Sequence, residues 1–89
     1  MQEKIVDIIY TANATDDLKY WKKSKPKFIE RINRLLEDIK KHPFKGLGNP
    51  EPLKFEKSGY WSRRINQEHR LVYKIASNTI YVAQCRYYY

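Results

Sequence analysis

Eighty-nine residues hold one small hydrophobic core and leave no room for a second domain. Eighteen lysines and arginines against ten acidic residues give a net charge of +8, so a polyanion (nucleic acid, the ribosome, an acidic protein or an anionic membrane) is the first partner to consider; a merely solvated basic surface is the alternative. One cysteine, Cys85, excludes an intrachain disulfide, and Cys85 with only His42 and His69 excludes a Cys/His zinc cluster of the usual kind.

The lone thiol points to a reducing, cytoplasmic setting. The opening Met1-Gln2-Glu3-Lys4-Ile5-Val6-Asp7 is charged too early for a signal peptide, and no apolar run approaches the ~20 residues that span a bilayer. Ile5 to Tyr10 is β-branched and aromatic, which predicts a first strand. Thr11, Asn13 and Thr15 offer caps for a first helix carrying Leu18, Tyr20 and Trp21 and ending near Ser24, with Asp16 and Asp17 at its positive end.

Ser24 can cap a second helix with Pro26 in its first turn. Phe28, Ile29, Ile32, Leu35, Leu36 and Ile39 form its apolar stripe, and His42-Pro43 ends it. Two glycines and two prolines make Lys45 to Pro52 a loop. Strand-like segments follow at Leu53 to Phe55, Tyr60 to Ile65, His69 to Ile75 and Thr79 to Tyr87. The order β-α-α-β-β-β predicts an α+β domain, with a mainly antiparallel sheet and a helical hairpin on one face.

Alternation places Leu71, Tyr73 and Ile75 toward the helices, together with Tyr81, Ala83, Cys85 and Tyr87 of the last strand, although Ile80 and Val82 are apolar on the other parity. The opposite face then gathers Tyr60, Ser62, Arg64, Arg70, Val72, Lys74, Gln84, Arg86 and Tyr88. Glu51 sits in the loop that enters the sheet. The tandem Arg63 and Arg64 point to opposite faces, so one of them is an ion-pair or packing residue.

RNA is cut without a metal when a base takes the 2′-OH proton, cations stabilise charge on the phosphate, and an acid protonates the leaving 5′-oxygen. Glu51 is the candidate base, or else pairs with a lysine. Arg64 and Arg70 are candidate phosphate clamps, because guanidinium binds phosphate oxygens bidentately. Tyr88, Tyr89 or His69 can supply a proton, although a histidine at a hairpin end is more often a packing residue. Tyr60, Trp61 and the last tyrosines can stack on unpaired bases. Lys22, Lys23, Lys25 and Lys27 are either a solvated face or an rRNA contact, and Cys85 reads as a small buried hydrophobe.

Several motifs stand in order. They are Gly46-Leu47-Gly48-Asn49-Pro50-Glu51-Pro52-Leu53-Lys54, Ser58-Gly59-Tyr60-Trp61-Ser62-Arg63-Arg64-Ile65, Glu68-His69-Arg70-Leu71-Val72-Tyr73 and Cys85-Arg86-Tyr87-Tyr88-Tyr89. With Asp16-Asp17 and Tyr20-Trp21, this series resembles the YoeB/Txe branch of the RelE-like toxins over nearly the whole chain. The resemblance implies a bacterial type II toxin that enters the ribosomal A site and cleaves mRNA without a metal or other cofactor, leaving a 2′,3′-cyclic phosphate and a 5′-OH. It also implies a cognate antitoxin of the YefM/Phd kind and, often, a homodimer.

Residue by residue, the resemblance implies Glu51 as general base and Arg70 as phosphate-stabilising arginine, with Arg64 and Lys54 in support and Tyr89 as the terminal tyrosine. Tyr60 and Arg86 join the RNA-facing set. The chain departs from the family at Tyr88, where Cys-Arg-Tyr-His-Tyr is usual and the histidine is the expected acid. A tyrosine of ordinary pKa near ~10 is a weaker acid than a histidine near ~6.5. Either Tyr88 donates the proton or cleavage is attenuated, leaving a module that binds RNA, ribosome and antitoxin without cutting. A gyrase-poisoning toxin of the ParE branch shares the fold, but the Glu51, Arg70 and terminal tyrosine set argues against it.

Overall fold

The computed structural model describes residues 4–88. Tyr89, and Met1 to Glu3 of the charged opening segment, lie outside the described residues. Strand β1 spans Asp7–Tyr10, shorter than the expected strand, and Ile5 ahead of it is already buried in the core. Helix α1 follows over Ala12–Ser24. Thr11 caps it, its hydroxyl accepting the Ala14 N–H at 3.0 Å. The helix therefore starts earlier than Asp16 and Asp17 suggest, and its first turn carries no acidic residue.

Lys25 alone separates α1 from α2, which spans Pro26–Lys41 with Pro26 in its first turn. Ser24 does not cap α2; its hydroxyl donates back to the Tyr20 carbonyl at 2.8 Å. Ile32, Leu35, Leu36 and Ile39 bury one stripe of α2, as their spacing requires.

The remaining strands are β2 (Glu51–Pro52), β3 (Trp61–Arg64), β4 (Arg70–Ala76) and β5 (Thr79–Gln84). The expected strand at Leu53 to Phe55 is not one. The short strand forms just before it, and Phe55–Lys57 is a 3-10 turn. The five strands lie in the order β1-β5-β4-β3-β2, with β1 parallel to β5 and every other pair antiparallel. The helices cover one face. Ala14, Trp21 and the α2 stripe meet Leu71, Tyr73, Ile80, Val82 and Cys85 in a single core.

Alternation fails at one place in this sheet. Tyr73 pairs with Val82 but Val72 pairs with Gln84, so Ala83 is an extra residue in β5. Before this bulge Ile80 and Val82 point into the core, both with no solvent exposure; after it Cys85 does. Tyr81, Ala83 and Tyr87 therefore do not form the core side of β5, and both apolar parities of the sequence are satisfied in turn. The residues opposite the helices remain Ser62, Arg64, Arg70, Val72, Lys74 and Gln84. No helix among the described residues is long and apolar enough to cross a membrane.

Candidate active site on the open face of the sheet

Strand register brings the site together. Glu51 pairs with Ser62, Ser62 with Val72, and Val72 with Gln84, which makes one row across β2, β3, β4 and β5 on the open face. The next row holds Arg64 beside Arg70. On the other side Lys74 pairs with Tyr81. Its ammonium stands 5.3 Å from the Tyr60 ring and 5.7 Å from the Tyr81 ring, close enough for cation–π attraction. Glu51, Lys54 and Arg64 are exposed, and Tyr60 is half-buried.

Glu51 owes its position to Arg63, the member of the arginine pair that points inward. Arg63 has no solvent exposure. It donates to Asp38 at 2.6 Å, to the Leu47 carbonyl at 3.1 Å, to the His42 and Lys45 carbonyls at 2.5 and 2.8 Å, and to the Tyr73 hydroxyl at 3.1 Å. The Tyr73 hydroxyl in turn donates to the Pro43 carbonyl at 2.7 Å. The loop from α2 to β2 is thus wound around one guanidinium, and Glu51 is the first residue to leave it. Gly48 lies at φ +80, and a Cβ there would stand 2.9 Å from Leu35 and 3.1 Å from the Arg63 side chain.

Asp38 closes the same network, also accepting the Leu47 N–H at 3.0 Å. Burial pushes its carboxyl pKa up, but the Arg63 hydrogen bond, the Leu47 N–H and the Arg63 charge outweigh that and hold it below the ordinary 3.8.

Arg70 is 6% exposed. Its Nη1 donates to the carbonyls of Asn66, Gln67 and His69 at 2.8, 3.1 and 3.2 Å, which folds the β3–β4 loop around it. The Tyr88 ring centroid lies 4.4 Å from the guanidinium carbon. Tyr88 is held there by the tail backbone. The Gln84 amide donates to the carbonyls of Arg86 and Tyr88, both at 2.9 Å. The Arg70 N–H donates to the Tyr87 carbonyl at 3.0 Å.

The described candidates do not all converge. Glu51, Arg64, Arg70, Tyr60 and Tyr88 share the open face, with Lys54 just beyond β2. Arg86 stands apart: its guanidinium lies 3.4 Å from the Tyr20 ring of α1 and 4.5 Å from the Tyr87 ring. Tyr89 falls outside the described residues. His69 packs edge-on against Trp21 at 4.7 Å, and its Nδ1 accepts the Tyr87 N–H at 2.7 Å. Gln84, Lys74 and Tyr87 are contributors that the sequence reading did not single out; the first two stood on the open parity, while the role of Tyr87 depends on a turn that alternation does not reveal.

The tail also needs an anchor where β5 ends. Asp17 accepts the Cys85 N–H at 3.0 Å and the Trp21 indole donates to the Cys85 carbonyl at 2.7 Å, so two side chains of α1 replace a strand partner. Burial raises the Asp17 pKa above 3.8, only partly offset by that N–H and by Arg86. Burial, with the charge of Asp17, pushes the Cys85 thiol up to about 12, so it remains a protonated, inert filler of the core.

A model of the YoeB-like toxin of bacterial type II toxin–antitoxin systems matches residues 10–89. The chain belongs to this family. Toxin YoeB of Streptomyces coelicolor is 50% identical over 82 residues, covering 92% of this chain and 98% of its own length. The YoeB/ParE toxin from Agrobacterium tumefaciens has the same fold with a TM-score of 0.92 and 42% identity, over 94% of this chain and 100% of its own. Two Staphylococcus aureus structures, a YoeB dimer and a YoeB–YefM complex, are each 42% identical with TM-scores of 0.89 and 0.88; they cover 96% and 94% of this chain and 99% and 98% of their own. The YoeB-like fold thus accounts for the helical pair and the mixed sheet alike.

Proposed function

We propose that this YoeB-like chain is a ribosome-dependent endoribonuclease that cuts mRNA in the A site and so stops translation. Glu51 takes the 2′-OH proton, and the 2′-oxygen attacks the adjacent phosphorus. Arg70, with Arg64 and Lys54, stabilises the charge gathering on the phosphate oxygens. Tyr88 gives a proton to the departing 5′-oxygen, leaving a 2′,3′-cyclic phosphate and a 5′-OH, and Tyr89 helps orient the substrate. No step requires a metal or cofactor. By analogy with the relatives, a YefM/Phd-type antitoxin holds the toxin in check and a homodimer is the assembled form.

The observation that carries this reading is the gathering of a carboxylate, two guanidiniums and a tyrosine on the one sheet face that no helix covers. Two inter-strand spacings, roughly 10 Å, separate the Glu51 and Arg70 strands, a gap that a ribose and its phosphate fill. The Tyr88 ring covers Arg70 in the unbound chain, so RNA must take its place or share the cation with it.

That same contact favours a second reading, a chain that binds RNA, ribosome and antitoxin without cutting, because a tyrosine stands where the family carries its acid. Primer extension on a defined mRNA, with and without ribosomes programmed by it, separates the two. The nuclease reading expects new 3′ ends inside the A-site codon only with ribosomes, and their loss by a factor of about 10² to 10⁴ in Glu51→Gln. Translation blocked while the message stays intact would leave the binding module.

A further inference from the structure

Both backbone polar groups of one tail residue, Tyr87, are held by two consecutive residues, His69 just before β4 and Arg70 at its start. The Tyr87 N–H donates to Nδ1 of His69 at 2.7 Å, and the Tyr87 carbonyl accepts the Arg70 N–H at 3.0 Å. Tyr87 itself lies at φ +69, in the left-handed region, and this turn carries Tyr88 over the Arg70 guanidinium. The His69 ring cannot drift away from the bond, since Trp21 and Phe28 pack against it with centroids at 4.7 and 6.2 Å.

We infer that His69 is a positioning residue, a proton-sensitive latch that keeps Tyr88 on Arg70 while its imidazole is neutral and frees the tail when the ring is protonated. A neutral imidazole has one donor and one acceptor nitrogen, so accepting at Nδ1 places its proton on Nε2. The imidazolium has two donors and no lone pair. An Nδ1–H would then confront the Tyr87 N–H, and the bond is lost. An imidazole ordinarily changes charge between about pH 5 and 8.

Of the charged groups near the ring, Asp17 on α1 interacts with it electrostatically, Lys25 stands 5.2 Å from the Phe28 ring that packs on it, Arg86 stands 4.5 Å from the Tyr87 ring, and Glu68 and Arg70 flank it in the chain. The hydrogen bond sets the direction of the switch. The consequence for cleavage rests on the proposed function, whereas the latch itself does not.

Amide exchange by NMR tests it, with protection of the Tyr87 and Arg70 amides measured at about pH 7.5 and about pH 5.5, either side of an imidazole's range. The Tyr73 amide in the core reports global folding. In the native chain Tyr87 protection should fall at least tenfold at the lower pH while Tyr73 holds. His69→Asn keeps an acceptor oxygen near the Nδ1 position but does not titrate, so its Tyr87 protection should be the same at both. His69→Phe keeps the ring packing without the acceptor and should be unprotected at both; should it fail to fold, the other two proteins still decide.

Protection in the native chain that ignores pH overturns the latch. So does a pH dependence that survives in His69→Asn, which would trace it to Asp17 and its bond to Cys85. RNA cleavage run in parallel should show kcat falling in His69→Phe, with recovery in His69→Asn. No cleavage by any of the three, the native chain included, would count against the proposed function and leave the amide result standing.

Discussion

Arg63 donates to the Asp38 carboxylate at 2.6 Å from a position with no solvent exposure. The pair sits beneath the loop that delivers Glu51, and the same guanidinium satisfies three loop carbonyls. It joins α2, the loop and β3 in one polar knot inside a small core.

Arg63→Met should therefore destabilise the fold by about 3–5 kcal/mol, because it leaves three loop carbonyls without their donor and Asp38 without its charge partner. Urea unfolding measures this. Its neighbour provides the control: Arg64 is exposed, and Arg64→Met should change stability by no more than about 0.5 kcal/mol. A loss below about 1 kcal/mol in Arg63→Met would mean that the loop has other support.

The same knot predicts acid sensitivity. The folded pKa of Asp38 lies below its ordinary 3.8, so the folded state binds that proton less readily than the unfolded chain. Its contribution is fully present above the unfolded value and disappears as pH falls through the lower folded value. Asp38→Asn should be less stable than the native chain at neutral pH but lose less on acidification below about pH 4. Parallel acid limbs in the two unfolding curves would contradict the assignment.

Asp17 has the opposite sign. Its folded pKa is raised by burial, so the ionised form costs stability at neutral pH, and stability is regained as pH falls through the folded value. Asp17→Asn keeps an acceptor for the Cys85 N–H and should be at least as stable as the native chain at pH 7. Asp17→Ala removes the acceptor and should lose about 1–3 kcal/mol. Thermal melts that rank Ala above Asn would refute this.

Tyr88 contributes a ring and a hydroxyl, and the two can be separated. Tyr88→Phe keeps the ring over Arg70 and removes the proton. If the hydroxyl is the acid, single-turnover cleavage should slow by about 10² or more, and Tyr88→His should restore or exceed the native rate. Equal rates for Tyr and Phe would assign Tyr88 to stacking alone.

Much of this architecture was legible in the residues. The split of Arg63 from Arg64 followed from strand alternation alone, and the α2 stripe from helical spacing. The open face came out largely intact because β3 and β4 are regular. What stayed hidden depends on single-residue irregularities. The bulge at Ala83 reverses parity in mid-strand, so no single alternation pattern fits β5. β5 ends at Gln84, so Arg86 no longer follows strand parity and lies against Tyr20. The Ser24 hydroxyl had an equal local alternative in the Tyr20 carbonyl, and a propensity argument does not choose between them. Which role each residue of the open face plays rests on the family resemblance, because pattern places side chains on a face without saying what they do there.

The parallel pairing of β1 with β5 has a consequence for how the chain folds. Asp7 meets Thr79, so the edge strand at the start of the chain finds its neighbour only after both helices and three other strands have been laid down between them. The α1–α2 pair and the β3–β4 and β4–β5 hairpins can form from local contacts. The β1–β5 ladder must close almost the whole length of the polymer as a loop, and such closures are slow. β5 can be in place against β4 before β1 arrives, so the N-terminal strand adds late, as an edge, to a sheet already formed.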